Sequence, residues 1–309
     1  MPLEINTNSS ASIAGRLLSR NHAGMQKSLS RISSGSRITE SSDDVGGLAV
    51  SIKRKGMINR MDAVDKNISN AVSFLQAQDG ILESASKIVQ RMSNLKSLSL
   101  DVSKNSSDIA NYNTEFKNLQ VQLHQMGETK FNGVSLFGVV QSDGESKVVF
   151  NTSGSEHTIS IFTSELGGSG SIVEINKSSM LAALTIDSTN LSAKNAYQDI
   201  SSTIKSFASE TLNLAINLSD ISLGMHTQAL QNLATLRAEN VSSSSRLQFA
   251  QRSAAYQKTN LETAVGRILD VDLASETTSL TKYKILVQAS ASMLAQANTT
   301  PDAALLLLR

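Results

Sequence analysis

The side chains that could do acid-base or metal chemistry in this chain are few and scattered. The four histidines are His22, His124, His157 and His226, and none sits inside a motif. Cysteine is absent, which removes thiolate metal sites, disulfides and a cysteine nucleophile together. The compartment stays open, because secreted proteins can also lack disulfides. Asp43 and Asp44 are adjacent carboxylates, yet they stand where a long helical pattern begins and read as capping groups. Gly167 to Gly170 is glycine-rich but lacks the lysine of a phosphate-cradling loop, so it reads as a flexible turn. These residues predict no enzyme, no cofactor and no metal.

Charge excludes two further classes. The net charge is +1, which gives no electrostatic footprint for nucleic acid or an anionic membrane. The basic run Lys53, Arg54, Lys55 and Arg60 reads as a solvated helix face. Met1 to Ser10 is polar and unlike a cleaved signal peptide, and no later run approaches the ~20 apolar residues of a membrane span. Export, if it occurs, is expected to use another route.

What the chain does carry is helical periodicity. From Val45 to Val102 apolar residues return every three or four positions: Val45, Leu48, Ile52, Ile58, Met61, Val64, Ile68, Val72, Leu75, Leu82, Ala85, Ile88, Met92 and Leu95. Such a stripe suits a long amphipathic helix that needs partners. Similar stripes run from Ile109 to Met126 and from Leu230 to Ile268. Both prolines, Pro2 and Pro301, lie near the ends, so long helices are permitted between them. Only 4% of residues are aromatic, which favours thin seams of Leu, Ile, Val and Met over a thick core. The spacing predicts a mainly α protein, a long antiparallel helical bundle or coiled coil built from the N- and C-terminal segments, with a small β-hairpin region in the middle.

Punctuation places the boundaries. A weaker stripe, Ala14, Leu18, Met25, Leu29 and Ile32, ends at Ser33 to Ser36. Ser41 with Asp44 reads as a capping box for the long helix, and Ser106 or Ser107 as the cap of the next, which Gly127 closes. Asn132 and Gly133 suit a tight hairpin turn. Val148 and Phe150 with Ile159 and Ile161 read as a hairpin, to which Ile172, Val173 and Ile175 add a strand. Ala193 to Leu218 reads as helical, and Ser242 to Ser245 predict local bending of the third long helix. The last stripe is Leu273, Leu280, Tyr283, Val287, Ala291, Leu294 and Ala297, followed by Pro301 and an apolar tail, Leu305 to Leu308. An apolar tail is best explained by burial in an assembly.

Ser28 to Leu82, with SLSRISSGSRITESSDDVGGLAVS and then NISNAVSFLQAQDGIL, resembles the N-terminal region of bacterial flagellins. TKFNGVSLF at Thr129 to Phe137 is similar to the segment that follows in that family, and Ile268 to Arg309 to its C-terminus. The resemblance implies a filament subunit in which residues 1–44 with 269–309 form a terminal helical assembly domain. Residues 45–140 with 219–268 would form a long-helix bundle, and 141–218 a small outer β-hairpin and helix region. It implies assembly contacts at Leu18, Met25, Leu29, Ile32, Leu280, Tyr283, Val287, Leu294, Leu305 and Leu308.

The expected partners are other subunits, a cytoplasmic export chaperone at the C-terminal helix, and filament cap and hook-associated proteins. The expected location is the extracellular filament, reached through the flagellar type III route without a cleaved signal. The resemblance also implies contact between a vertebrate Toll-like receptor and Gln90, Arg91, Leu95 and Glu115, weakened by Ser93, Asn94 and Leu98. The alternatives are a hook-filament junction protein of the same family and a helical signalling rod. The Leu-rich ending favours the filament subunit over the first, and the hairpin and missing membrane span speak against the second.

Overall fold

The computed structural model describes residues 8–138 and 158–307, with side chains as far as Thr299. The elements in order are α1 (Ser9–Ser34), α2 (Val45–Ser99), α3 (Ser106–Gly127), β1 (Lys130–Phe131) and β2 (Val134–Ser135), then β3 (Thr158–Phe162), β4 (Ile172–Asn176) and α4 (Met180–Ala183). They end with β5 (Thr185–Asp187), β6 (Ile204–Ser206), α5 (Leu223–Leu269) and α6 (Leu273–Leu307). The chain divides into two compact units, residues 1–59 with 257–309 and residues 60–256.

In the terminal unit α1 and α6 lie antiparallel. Asn8 donates to the Ala297 carbonyl, Asn21 to Ser290 Oγ, and Arg31 approaches Glu276. Gly35 ends α1 at φ 68°, a left-handed conformation that glycine adopts without penalty. The chain then pairs with the end of α5: Arg37 N–H donates to Leu269 O, and Val271 N–H to Gly35 O. Asp44 alone caps α2, accepting from Gly47 N–H at 2.8 Å, and a Cβ on residue 47 would collide with that carboxylate. The expected Ser41 box is therefore not used: Ser41 lies in the turn ahead of the helix, and Asp44, the residue next to its first turn, takes the free amide. α6 passes through Pro301. That proline cannot donate to the carbonyl of Ala297 four residues back, and Asn8 supplies the missing donor at 2.7 Å.

The central unit is a helical bundle closed by short strand pairs. Residues 60–99 of α2 run antiparallel to α5: Arg237 forks onto Asp79 at 2.9 and 3.1 Å, Asn240 reaches the Leu75 carbonyl, and Gln251 meets Asp65. Ile68, Leu82, Ala85, Val89, Met92 and Leu95 of α2, Phe116 and Leu123 of α3, and Leu233 and Leu247 of α5 are fully buried. α3 is capped by Asn105, whose side chain and that of Asp108 form a reciprocal box. The cap thus lies one residue before the expected serines, because asparagine reaches the third amide equally well.

Asn132 and Gly133, at φ 49° and 81°, turn β1 back onto β2 as expected. β3 pairs with β4 in a register from Thr158↔Asn176 to Phe162↔Ile172, around the turn holding Gly167 to Gly170. Val148 and Phe150, the expected first strand, lie outside the described residues.

Residues 193–218 do not form the expected helix. They contain a 3-10 turn at Tyr197–Asp199, the start of another at Leu218–Asp220, strand β6 paired with β5, and extended chain. The reason lies in neighbouring side chains that satisfy this backbone. Gln120 donates to Ile216 O and accepts from its N–H, Asn113 accepts from Leu218 N–H, and Ser201 Oγ accepts from Ile204 N–H. The apolar residues consequently share no face: Phe207 is buried, while Ile200 and Leu212 are about half exposed. α5 runs unbroken through Ser242 to Ser245, without fraying there.

Candidate assembly surface

The seam between α1 and α6 is built on a seven-residue repeat. On α1 the buried or half-buried positions include Ala14, Leu18, Asn21, Met25, Ser28 and Ile32, with Ala11, Gly15, Gly24 and Arg31 beside them, and on α6 Glu276, Leu280, Tyr283, Val287, Ser290, Leu294 and Ala297, with Ser279 beside them. Steps alternating between four and three residues are the signature of a coiled-coil seam. Small residues let the helices approach closely. A Cβ on Gly24 would sit 2.6 Å from the Tyr283 ring, and Ser28 and Ser290 are almost wholly buried.

An ion cluster fixes one end. Asp43 pairs with Lys27 and lies 3.9 Å from Arg31, whose guanidinium also stands 3.8 Å from Glu276. Lys27, with the backbone amides of Thr39 and Glu40, holds the Asp43 carboxyl well below the usual carboxylate range against the opposing effect of burial.

Most sequence-predicted assembly residues stand on this seam. Leu18, Met25, Ile32, Leu280, Tyr283, Val287 and Leu294 are half-buried, and only Leu29 faces solvent. Leu305 lies in α6 with its side chain outside the described residues, and Leu308 lies outside them altogether. Besides Leu29, the exposed apolar surface of the terminal helices belongs to positions not predicted: Ile13 and Leu17 on α1, and Leu273, Ile285, Leu286 and Met293 on α6, from 36% to 59% exposed. Sequence periodicity could have found them as apolar residues doubled beside the seam, as in Leu17–Leu18, Leu286–Val287 and Met293–Leu294. In the register of the repeat Leu17, Leu286 and Met293 flank the seam on one side and Leu29 on the other, while Ile285 points outward, and the two helices leave all of them uncovered. Each such side chain gains on the order of 1 kcal/mol when a partner covers what remains exposed.

The remaining candidates separate. Arg91 and Glu115 meet in a bidentate pair at 2.7 and 3.1 Å, and Gln90 is exposed beside them, whereas Leu95 is wholly buried in the core. His22 is exposed and His157 lies outside the described residues. His124 packs in a tilted arrangement against Tyr197, ring centroids 5.7 Å apart. His226 is buried against Phe207 and Phe116 with Nδ1 at 2.9 Å from Ser222 O, and burial holds its pKa below the ordinary value. Among the described residues no His, Cys, Asp and Glu group has the makings of a metal site. None of the described helices is long and apolar enough to cross a membrane.

Comparison with known proteins matches residues 5–142 to the bacterial flagellin N-terminal helical region and residues 223–308 to the bacterial flagellin C-terminal helical region. The flagellin of Bacillus subtilis is 30% identical, with 99% of this chain and all of that protein aligned. A flagellin of Listeria innocua is 30% identical over 97% of both chains. The flagellar filament 30.7 kDa core protein of Treponema maltophilum is 30% identical over 98% of this chain and 99% of that one.

Proposed function

The chain belongs to the bacterial flagellin family and is a structural subunit of the extracellular flagellar filament, and we propose that it polymerises through the apolar face that α1 and α6 present together. The observation that carries this reading is the set of exposed apolar side chains on α1 and α6 beside a seam already filled by the pair itself. Contacts between different faces of identical subunits propagate without closing, as a filament requires. Removing residues 273–309 should leave a monomer that does not polymerise when seeded with filament fragments. Normal filaments from the truncated chain would refute the assignment to the ends.

Finer roles follow from the family. The domain division 1–44 with 269–309, 45–140 with 219–268, and 141–218 would separate inner assembly, shell and outer surface. Export through the type III route suits a chain without cysteine or internal proline, and a chaperone covering α6 would keep its apolar face from premature association. Cap and hook-associated proteins would meet the same terminal helices. Gln90, Arg91 and Glu115 form a surface that a Toll-like receptor could grip, with Leu95 supporting it from within the core. The full-length likeness to filament proteins supports this reading over a hook-filament junction protein.

A further inference from the structure

Two further surfaces among the described residues complement each other. The first is on α2, where Ile52 is 62% exposed and is flanked on the outward face by Lys53 and Lys55. Among the described residues neither lysine has an ion-pair partner, whereas Lys87, Arg91, Arg237 and Lys258 on the long helices do. The second is a cleft of about 640 Å³ in the central unit, walled by Leu181, Ala208 and Ile216 and edged by Ile200 and Leu214. Glu128 and Glu210 stand at its mouth, and both press on the Tyr197 hydroxyl, whose pKa burial and these two carboxylates raise. The cleft lining contains no lysine or arginine.

An exposed branched apolar side chain between two cations matches an apolar cleft carrying two anions and an aromatic ring. We propose that Ile52 of one subunit enters the Glu128–Glu210 cleft of a neighbouring copy, with Lys53 and Lys55 pairing with the two glutamates. This rests on the polymer described above and adds to it a polar, salt-sensitive contact distinct from the apolar face of α1 and α6. The two patches are different surfaces of the same chain, so the contact is heterologous and repeats along a filament. Opposite charges at its rim would set register and speed of addition more than total affinity. Tyr197 would offer its ring face to whichever ammonium lies nearer.

The test is seeded polymerisation of the full-length chain, reading the critical concentration in low and moderate salt. Lys53→Glu with Lys55→Glu, and separately Glu128→Lys with Glu210→Lys, should each raise it by about tenfold, because like charges would face each other. The four changes combined should restore it to near the unmodified value. The neutral variants Glu128→Gln with Glu210→Gln should flatten its dependence on salt, a readout that misfolding would not imitate. Single-side reversals that polymerise normally, or a combined variant no better than the worse parent, would overturn this contact alone. An unmodified chain that forms no filament from seeds would instead overturn the polymer on which it rests.

Discussion

Single side chains decide where this structure is vulnerable. Asn8 does two things: its carbonyl oxygen caps α1 through Ala11 N–H, and its amide supplies the donor that Pro301 withholds from Ala297. Asn8→Ala should therefore cost about 1–2 kcal/mol in the terminal helix pair, visible as a raised critical concentration, whereas a surface change such as His22→Ala should have no measurable effect. His226 gives a pH dependence of definite sign. Its folded pKa is lowered, chiefly by burial and further by Lys96, with the Ser222 carbonyl opposing, so the unfolded chain binds the proton first. Its contribution to stability is full above the unfolded value of about 6.5 and is lost as pH falls through the lower folded value. Urea unfolding of the protein should show stability declining below neutrality, and His226→Leu should flatten that slope. An unchanged slope in the variant would place the pH dependence elsewhere.

At the scale of elements, the helices were legible because their stripes keep one period for many turns. Met61, Ile68, Leu75, Leu82, Met92 and Leu95 all proved buried as the stripe of α2 predicts. Leu95→Ala should lower the unfolding free energy by about 2–5 kcal/mol, measured by denaturant titration, since its site is closed on every side. Residues 193–218 were illegible for a definite reason. Their backbone partners are Gln120 and Asn113, polar side chains about a hundred positions away, and no local pattern reports that. The caps slipped by a residue or more because Asp, Asn and Ser can all serve, and only the path of the preceding loop selects among them. The assembly face was half legible. Periodicity finds the apolar positions of α1 and α6, but the register between the two helices decides which of two adjacent stripes is consumed within the subunit.

Across the whole molecule, a chain that ends in two apolar stripes on each terminal helix is a protein completed by its copies. The seam stripe joins the two helices, and burial by neighbouring copies is the proposed role of Ile13, Leu17, Leu29, Ile285 and Met293, which are exposed in a single chain. Changing outer positions such as Leu17→Ser and Ile285→Ser should leave the α1–α6 seam intact yet raise the critical concentration at least tenfold, since about 1–3 kcal/mol of burial would be lost at each contact. The absence of native cysteine allows the claim to be measured directly. With cysteine placed at Ile285, the rate of labelling by a thiol reagent can be compared in monomer and filament. The outer-face assignment predicts rapid labelling in the monomer and strong protection in the filament. Equal labelling of Ile285→Cys in both states would contradict it.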